Sequence, residues 1–263
     1  MIQVGIIGGA GYTAGELIRL LLHHPKAKIN FVYSTSNAGN KIYDVHQDLY
    51  GDTELKFIDS INSEVDILFL CLGHGNSTQF LKENSFSKNT KIIDLSNDFR
   101  LESSNIIDGK AFVYGLPELQ KEEIIKANYI ANPGCFATAL QLAILPLASH
   151  KLLFDDIHIH AVTGATGAGT AVSATSHFPW RDNNFSHYKA FSHQHLDEIN
   201  QTVQNLQPEF SSEINFIPNR GNFSRGIFAT IYTKFTGSMD EAKEMYQSYY
   251  EEAAFTFISD NEL

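Results

Sequence analysis

Short apolar runs alternate with amphipathic stretches along the first half of the chain. The runs that read as buried strands cover residues 2–7, 29–34, 65–72, 91–95 and 128–131. Helical patterns lie between them, most clearly over residues 14–22 and 76–83. Because strands that alternate with helices form βαβ units, this half predicts an α/β domain with a parallel sheet.

The pattern changes in the second half. Residues 136–147 read as a buried helix, and residues 195–206 and 239–254 have helical periodicity. Residues 156–163 and 225–235 are long β-rich runs of the kind found in mixed or antiparallel sheets. We therefore predict two domains, a parallel-sheet domain over residues 1–148 and an α+β domain with a mixed sheet over residues 149–263.

Composition and charge restrict the class of protein. The chain is 43% hydrophobic and 19% charged, which suits a packed globular core. Its formal net charge is −11, which disfavours binding to nucleic acid or to anionic membranes. No apolar run reaches the roughly 20 residues that a bilayer requires, and the first residues lack a secretory pattern. With only two cysteines, we expect a reducing, cytoplasmic setting.

A glycine cluster follows the first predicted strand and precedes the first predicted helix. Residues 8–14 read Gly-Gly-Ala-Gly-Tyr-Thr-Ala and fit G-x-x-G-x-x-A, a relaxed dinucleotide fingerprint. Such a turn lets backbone approach a pyrophosphate at a helix N-terminus, so we predict a Rossmann-type nucleotide site rather than a plain tight turn. The predicted contacts are Gly8, Gly11, Tyr12, Thr13 and Ala14.

The end of the second predicted strand refines the cofactor. An NAD site usually carries an acid there for the ribose diol, but residues 33–37 read Tyr-Ser-Thr-Ser-Asn. Because hydroxyl groups can bind a 2′-phosphate without repelling it, Ser34, Thr35 and Ser36 favour NADP; the alternative is a polar turn. His74 follows the third strand in a glycine-rich loop and is a further candidate cofactor contact.

Cys135 follows a Pro-Gly turn and opens a predicted helix. Free N–H groups and the helix dipole at that position favour the thiolate, so Cys135 is a candidate nucleophile. Cys71 lies inside an apolar strand and reads as a buried hydrophobe. A thiolate beside a nicotinamide predicts attack on a carbonyl followed by hydride transfer, with histidine as the acid–base partner.

Histidines and arginines supply further candidates. His193 and His195 would face one side of an extended segment, and no third ligand at suitable spacing supports a metal site. Arg100, near Ser96, and Arg220, in a predicted loop, could each grip a carboxylate or phosphate; for each alone, a surface salt bridge is the alternative. A second glycine-rich loop, residues 164–170, is expected near the substrate or is a tight connection.

Assembled, these residues resemble the N-acetyl-gamma-glutamyl-phosphate reductases and, more distantly, the aspartate-semialdehyde dehydrogenases. The segments that carry the resemblance are GGAGYTAGEL at the start, LGHG at 72–75, DLSNDFR at 94–100, YGLPEL at 114–119, ANPGCFAT at 131–138, TGATGAG at 163–169, HQHLDEI at 193–199 and PNRGNFSRGI at 218–227. The resemblance implies a Rossmann-type domain followed by a substrate and dimerisation domain, in a cytoplasmic homo-oligomer.

The same resemblance implies an activity. NADPH would reduce an acyl phosphate to an aldehyde with release of phosphate, in arginine biosynthesis. Cys135 would be the nucleophile, and a histidine of the 193–199 segment, with His193 preferred to His195, would be the acid–base group. Ser96, Arg100 and Arg220 would contact the substrate.

Two departures and two alternatives accompany this expectation. The third fingerprint glycine is Ala14, followed by Gly15, and family members continue beyond residue 263, so we expect a C-terminally truncated chain. The alternatives are an aspartate-semialdehyde dehydrogenase-type reductase and a nucleotide-sensing Rossmann protein without chemistry. A cysteine hydrolase is disfavoured because its reaction would not use the glycine turn. The identity of the acyl group stays open.

Overall fold

The computed structural model describes residues 1–261 and divides them into two compact units. The first unit comprises Met1–Gly115 and Glu122–Pro133, and the second comprises Leu116–Lys121 and the residues from Gly134 onward. Residues 262 and 263 of the predicted second domain lie outside the described residues. Within residues 1–261, no helix combines the length and the apolar character needed to span a membrane.

The first unit is built on a parallel sheet. Its strands are β1 (Ile2–Ile7), β2 (Ala27–Tyr33), β3 (Phe57–Ile58), β4 (Ile67–Leu70), β5 (Lys91–Asp94), β6 (Ile106–Ile107), β7 (Lys110–Ala111), β8 (Val113–Tyr114) and β9 (Tyr129–Ala131). The seven-stranded sheet has the order β3-β2-β1-β4-β5-β9-β8, and each neighbouring pair is parallel. Strands β6 and β7 form a separate antiparallel ribbon. The predicted Rossmann-type parallel sheet is confirmed.

Three helices accompany this part of the chain. They are α1 (Tyr12–Leu22), α2 (Asn76–Glu83) and α3 (Pro117–Lys126). Helix α1 buries Ala14 and Ile18 in one apolar cluster with Val4 and Ile6 of β1. This packing fixes the N-terminus of α1 at the carboxyl end of β1, where a parallel α/β sheet places its ligands.

The second unit is built on a mixed sheet, as predicted. Its elements are α4 (Cys135–Ser149), β10 (Ile157–Thr163), α5 (Phe178–Arg181), β11 (Ser186–His187), α6 (His195–Leu206), β12 (Ile214–Arg220), β13 (Ile227–Tyr232) and α7 (Met239–Tyr250). The strand order is β11-β12-β10-β13, in which β10 and β12 are parallel and the other pairs are antiparallel. Side chains of α4, α6, β10 and β12 share the core of this unit.

Helix α4 contains a proline that α7 compensates. Pro146 has no N–H to donate, which leaves the carbonyl of Leu142 without its usual helical partner. The hydroxyl of Tyr250 donates to that carbonyl at 2.5 Å, and the hydroxyl of Tyr246 donates to the carbonyl of Ala143. The two tyrosines therefore tie α7 to the interior of α4, the helix that Cys135 opens.

One sequence-based expectation differs from the structure. The predicted loop around Arg220 is wrong, because Arg220 ends strand β12. Pro218 is tolerated in that strand because its carbonyl, and with it its nitrogen, is directed away from β10 and towards Tyr188, just past the two-residue strand β11, so the proline removes no hydrogen bond from the β10 ladder. The domain boundary near residue 148 stays a prediction; the two compact units divide at Gly134, so α4 belongs to the second unit.

Candidate active site

Cys135 is the first residue of α4, and its side chain is exposed. Gly134 precedes it in an extended conformation, so the first backbone N–H groups of α4 face the thiol end of the helix. The other cysteine has contrasting surroundings: burial raises the pKa of Cys71 to about 12, and the charge of Asp94 adds to the effect. Cys135 is therefore the accessible thiol at a helix N-terminus, where the thiolate is favoured.

A cleft of about 320 Å³ lies over Cys135. Its other lining residues come from the end of β10, the start of β13 and the loops beside them: Thr163, Gly164, Thr166, Gly167, Arg225, Gly226 and Ile227. The loops approach closely, because a Cβ on Gly164 would lie 2.4 Å from the carbonyl oxygen of Ser224. The second glycine-rich loop thus lies beside the candidate nucleophile. Arg225 escaped the sequence analysis, although the chain places it directly before a glycine, as it does Arg220.

His193 and His195 lie together at the start of α6 rather than on an extended segment. Their ring centroids are 4.7 Å apart, and both side chains are buried against Phe136, the residue after Cys135. The backbone N–H of His195 donates to Nδ1 of His193 at 3.2 Å. Because Nδ1 of His193 accepts this bond, a neutral His193 carries its proton on Nε2.

The two histidines differ in their electrostatic surroundings. Burial, and then the charges of His195 and Lys189, lower the pKa of His193 to about 4, against a smaller opposing effect of Glu198. His193 is therefore neutral near pH 7 and a weak base. His195 has a carboxylate close by, since its Nε2 lies 4.0 Å from Oε1 of Glu198.

Glu198 connects His195 to the turn before the nucleophile. Its side chain is buried, and Oε2 accepts the backbone N–H of Gly134 at 2.9 Å. The imidazole of His195 occupies the space beside Gly134, where an added Cβ would lie 2.4 Å from Nε2. Cysteine, histidine and carboxylate are thus assembled around one turn. The sequence analysis missed Glu198, although its spacing of three residues from His195 places both on one helix face.

Arg220 lies on the His193 side of this assembly. Its guanidinium carbon is 4.8 Å from the ring centroid of Tyr188, and that ring lies 5.7 Å from the ring of His193. Nη1 of Arg220 donates to Oγ1 of Thr175 at 3.2 Å.

The glycine turn of the first unit has the shape that a dinucleotide requires. Gly8 has a φ of +79°, and a Cβ there would lie 2.5 Å from the carbonyl oxygen of Cys71. A Cβ on Gly11 would meet only the carbonyl oxygen of Gly8, at 3.8 Å, and the first turn of α1 contains no acidic residue. Tyr12 and Thr13 are exposed at the helix start, whereas Ala14 is buried beneath. A pyrophosphate therefore fits this cradle both sterically and electrostatically.

His46 braces the same turn and was missed from the sequence. Its Nε2 lies 2.8 Å from the carbonyl oxygen of Gly9, and its ring packs against Gly15, where a Cβ would lie 2.6 Å from Nδ1. This contact explains the departure from the fingerprint, because Ala14 packs on the sheet while Gly15 makes room for the imidazole.

The turn after β2 carries hydroxyl groups and no acid. Ser34 precedes a single 3-10 turn, Thr35–Asn37, and its hydroxyl lies 3.4 Å from that of Ser36. Thr35 and Ser36 are exposed. These groups present donors of the kind that bind a phosphate on a ribose.

The remaining predicted residues lie around the carboxyl ends of β4 and β5. His74 is exposed, and its Nδ1 accepts the N–H of Asn97 at 3.1 Å. Ser96 is fully buried, and its hydroxyl donates to Asp94 at 2.6 Å. Arg100 is largely buried and donates through Nε to the carbonyl of Asn132 at 2.9 Å. Substrate contacts by Ser96 and Arg100 remain predictions.

Family models match both parts of the chain. Residues 3–127 match the semialdehyde dehydrogenase NAD binding domain, and residues 135–263 match the semialdehyde dehydrogenase dimerisation domain. Curated relatives are close over the whole chain. N-acetyl-gamma-glutamyl-phosphate reductase of Christiangramia forsetii is 64% identical over 100% of this chain and 81% of its own length. That of Flavobacterium johnsoniae is 60% identical over 98% of this chain and 80% of its own length.

Solved structures of lower identity share the fold. Aspartate semialdehyde dehydrogenase II from Vibrio cholerae superposes with a TM-score of 0.68 at 15% identity, covering 95% of this chain and 79% of that one. Aspartate semialdehyde dehydrogenase with NADP from Candida albicans has a TM-score of 0.64 at 16% identity, covering 96% and 76%. The sequence relatives and the family models establish that the chain belongs to the N-acetyl-gamma-glutamyl-phosphate reductase family of the semialdehyde dehydrogenases.

Proposed function

We propose that this protein reduces N-acetyl-gamma-glutamyl phosphate to N-acetylglutamate semialdehyde with NADPH and releases phosphate, a step of arginine biosynthesis. The observation that carries the proposal is Cys135, an exposed thiol at a helix start with His195 and Glu198 around the preceding turn. The names of relatives that are 52–64% identical support the same substrate.

In the first half of the reaction, Cys135 is acylated by the substrate. His195 takes the proton of the thiol, and the thiolate attacks the acyl carbon. Phosphate leaves, which gives a thioester on Cys135. The backbone N–H of Cys135 at the start of α4 is the proposed donor to the oxyanion. Glu198 stabilises the imidazolium that forms on His195, as a buried carboxylate does for a neighbouring base.

In the second half, the thioester becomes an aldehyde. NADPH held at the turn of Gly8 and Gly11 would supply the hydride that reduces the acyl carbon. His195 returns its proton to the tetrahedral oxygen and recovers it as the thiohemiacetal collapses, so that Cys135 is released for another turnover. We assign this role to His195 rather than to His193, the preferred residue in the sequence analysis, because burial lowers the pKa of His193 to about 4, whereas His195 has a carboxylate oxygen of Glu198 4.0 Å from its Nε2.

The positions of the arginines are the basis for the proposed charged contacts of the substrate. Arg225 lines the cleft over Cys135 and is proposed to bind the phosphate that leaves the attacked carbon. Arg100, Ser96 and Arg220 remain proposed contacts of the phosphate or the carboxylate.

The nucleotide-binding unit holds a nicotinamide cofactor, and we propose NADP. Gly8, Gly11, Tyr12, Thr13 and Ala14 form the pyrophosphate cradle. Ser34, Thr35, Ser36 and His74 are the proposed contacts of the remainder of the cofactor. The match to a dimerisation domain supports a homo-oligomer, and we propose the cytoplasm as its location.

Turnover in the reverse direction tests the proposal. Purified protein is mixed with phosphate, NADP and either N-acetylglutamate semialdehyde or aspartate semialdehyde, and NADPH formation is followed. We expect turnover of the first aldehyde, its loss in Cys135→Ser, and its retention in the matched control Cys71→Ser. Turnover of aspartate semialdehyde alone would contradict the assigned substrate. Activity that survives Cys135→Ser would contradict the assigned nucleophile.

A further inference from the structure

Two arginines of the second unit lie side by side at one end of its sheet. Arg181 ends α5, and its Nη1 and Nη2 each lie 3.3 Å from the hydroxyl oxygen of Ser186. Ser186 of β11 pairs directly with Arg220 of β12. Because directly opposed residues of an antiparallel pair project from the same face, the two guanidinium groups occupy one region.

The charges of this pair are not balanced by an acid. Arg181 is only 5% exposed, and its other bond goes from Nη2 to the carbonyl of Asn184 at 2.9 Å. Arg220 donates to the hydroxyl of Thr175. Among residues 1–261, no carboxylate forms an ion pair with either arginine, and the buried Nε of each lacks a hydrogen-bond partner.

Two adjacent like charges, one on a buried arginine and one on a half-buried arginine, favour the binding of an anion. Burial, and secondarily the charge of Arg220, lower the pKa of Arg181, which is the effect expected of an uncompensated neighbour. Burying a charge without a partner is costly, and a bound oxyanion would offset that cost with charge-assisted hydrogen bonds. The hydroxyl groups of Thr175 and Ser186 stand beside the pair.

The position of the pair distinguishes between the anionic groups of a substrate. The phosphate is bonded to the carbon that Cys135 attacks, so it must occupy the cleft over Cys135, which Arg225 lines. Neither Arg181 nor Arg220 lines that cleft. They are linked to the site through Tyr188, which contacts both Arg220 and His193. The pair is therefore placed for an anionic group away from the reacting carbon.

We propose that Arg181 and Arg220 together form the binding site for the carboxylate of the substrate. This inference rests on the proposed function for the identity of the substrate, and it adds Arg181, which the sequence analysis did not single out. Two guanidinium groups can engage both oxygens of one carboxylate, which fixes its orientation as well as its position.

Reverse-direction kinetics of Arg181→Gln test the site. We expect the KM for N-acetylglutamate semialdehyde to rise about 10- to 100-fold, the usual effect of removing a hydrogen bond to a charged group. The KM for phosphate and the kcat should stay within about twofold. Arg181→Lys, which keeps the charge, should give an intermediate KM. The matched control is Lys234→Gln, which removes one positive charge from an exposed surface pair with Asp155.

A binding measurement separates this site from the proposed chemistry. Calorimetric titration of each protein with N-acetylglutamate, which carries the same carboxylate, needs no turnover. Binding by the wild type and Lys234→Gln that weakens in Arg181→Gln supports the site, even if the wild type turns nothing over and the proposed function fails. A rise in the KM for phosphate instead, or Arg181→Gln and Arg181→Lys both matching Lys234→Gln in KM and in binding, would overturn the proposal.

Discussion

Replacing Glu198 by Gln removes one buried negative charge while keeping the size of the side chain. The glutamine carbonyl can still accept the N–H of Gly134, so the turn before Cys135 should keep its conformation. The carboxylate oxygen lies 4.0 Å from Nε2 of His195, and both side chains are less than 10% exposed. What the variant loses is the stabilisation of the imidazolium that His195 forms when it takes the thiol proton.

The magnitude follows from that distance. Opposite charges 4 Å apart attract by about 4 kcal/mol at an effective dielectric constant of about 20. The amide dipole of glutamine recovers part of this energy, so we expect a net loss of about 2–3 kcal/mol. That corresponds to a fall in kcat of about 30- to 150-fold.

The assay is NADPH formation from N-acetylglutamate semialdehyde, phosphate and NADP. The matched control is Asp197→Asn, which removes an exposed acid from the same turn of α6. We expect Asp197→Asn to retain kcat within about twofold. A Glu198→Gln enzyme that keeps kcat as well as Asp197→Asn does would refute the assigned role of Glu198.

Three further predictions concern stability and cofactor binding. Tyr250→Phe leaves the carbonyl of Leu142 unpaired beside Pro146, so thermal or urea unfolding should give a loss of about 1–3 kcal/mol, and an unchanged midpoint would contradict that account. Gly15→Ala places a Cβ 2.6 Å from the ring of His46, so fluorescence titration should give an NADPH Kd at least about tenfold higher; wild-type affinity would argue against the brace. Burial lowers the pKa of His193 in the folded state to about 4, below the ordinary value of 6.5. Between pH 6.5 and pH 4, His193 is therefore protonated in the unfolded chain and neutral in the folded protein. Folding stability should therefore fall as pH drops from about 6.5 to about 4, by up to about 3 kcal/mol, and His193→Gln should show a smaller fall in chemical unfolding across that window.

The sequence predicted much of the first unit because its signals are local. Apolar runs of four to eight residues indicated the central strands, and helices α2 and α6 have the predicted bounds. The glycine turn was recognisable because its strand and helix flank it directly. The contact of His46 with this turn was not recognisable, because His46 lies 37 residues from Gly9 and no local pattern marks a histidine that bonds to a distant carbonyl.

The second unit was harder to predict because tertiary contacts override local rules there. Pro218 was predicted to lie in a loop, yet it belongs to β12, because its nitrogen is directed away from β10 and its missing N–H removes no bond from that ladder. Pro146 lies inside α4, where it leaves the carbonyl of Leu142 without a helical N–H donor. The hydroxyl of Tyr250 donates to that carbonyl instead.

The candidate site also contains some features that local sequence determines and others that depend on tertiary contacts. The position of Cys135 at a helix start was predictable from the turn and helix that surround it, whereas the two histidines lie together at the start of α6 and not on the extended segment that their spacing suggested. The choice between His193 and His195 depends on burial and on Glu198, which one sequence does not display. The role proposed for Arg225 depends on the cleft that it lines, and the role proposed for Arg181 depends on its neighbour Arg220. Only the fold brings these features together.

A single-turnover mass measurement tests the central claim most directly. The protein is mixed with N-acetyl-gamma-glutamyl phosphate without NADPH, quenched in acid, and analysed as intact protein and as peptides. We predict one acyl adduct on the peptide that contains Cys135, formed with release of phosphate and discharged as aldehyde when NADPH is added. An adduct on Cys71, or aldehyde production by a protein that never carries an acyl group on Cys135, would contradict the account.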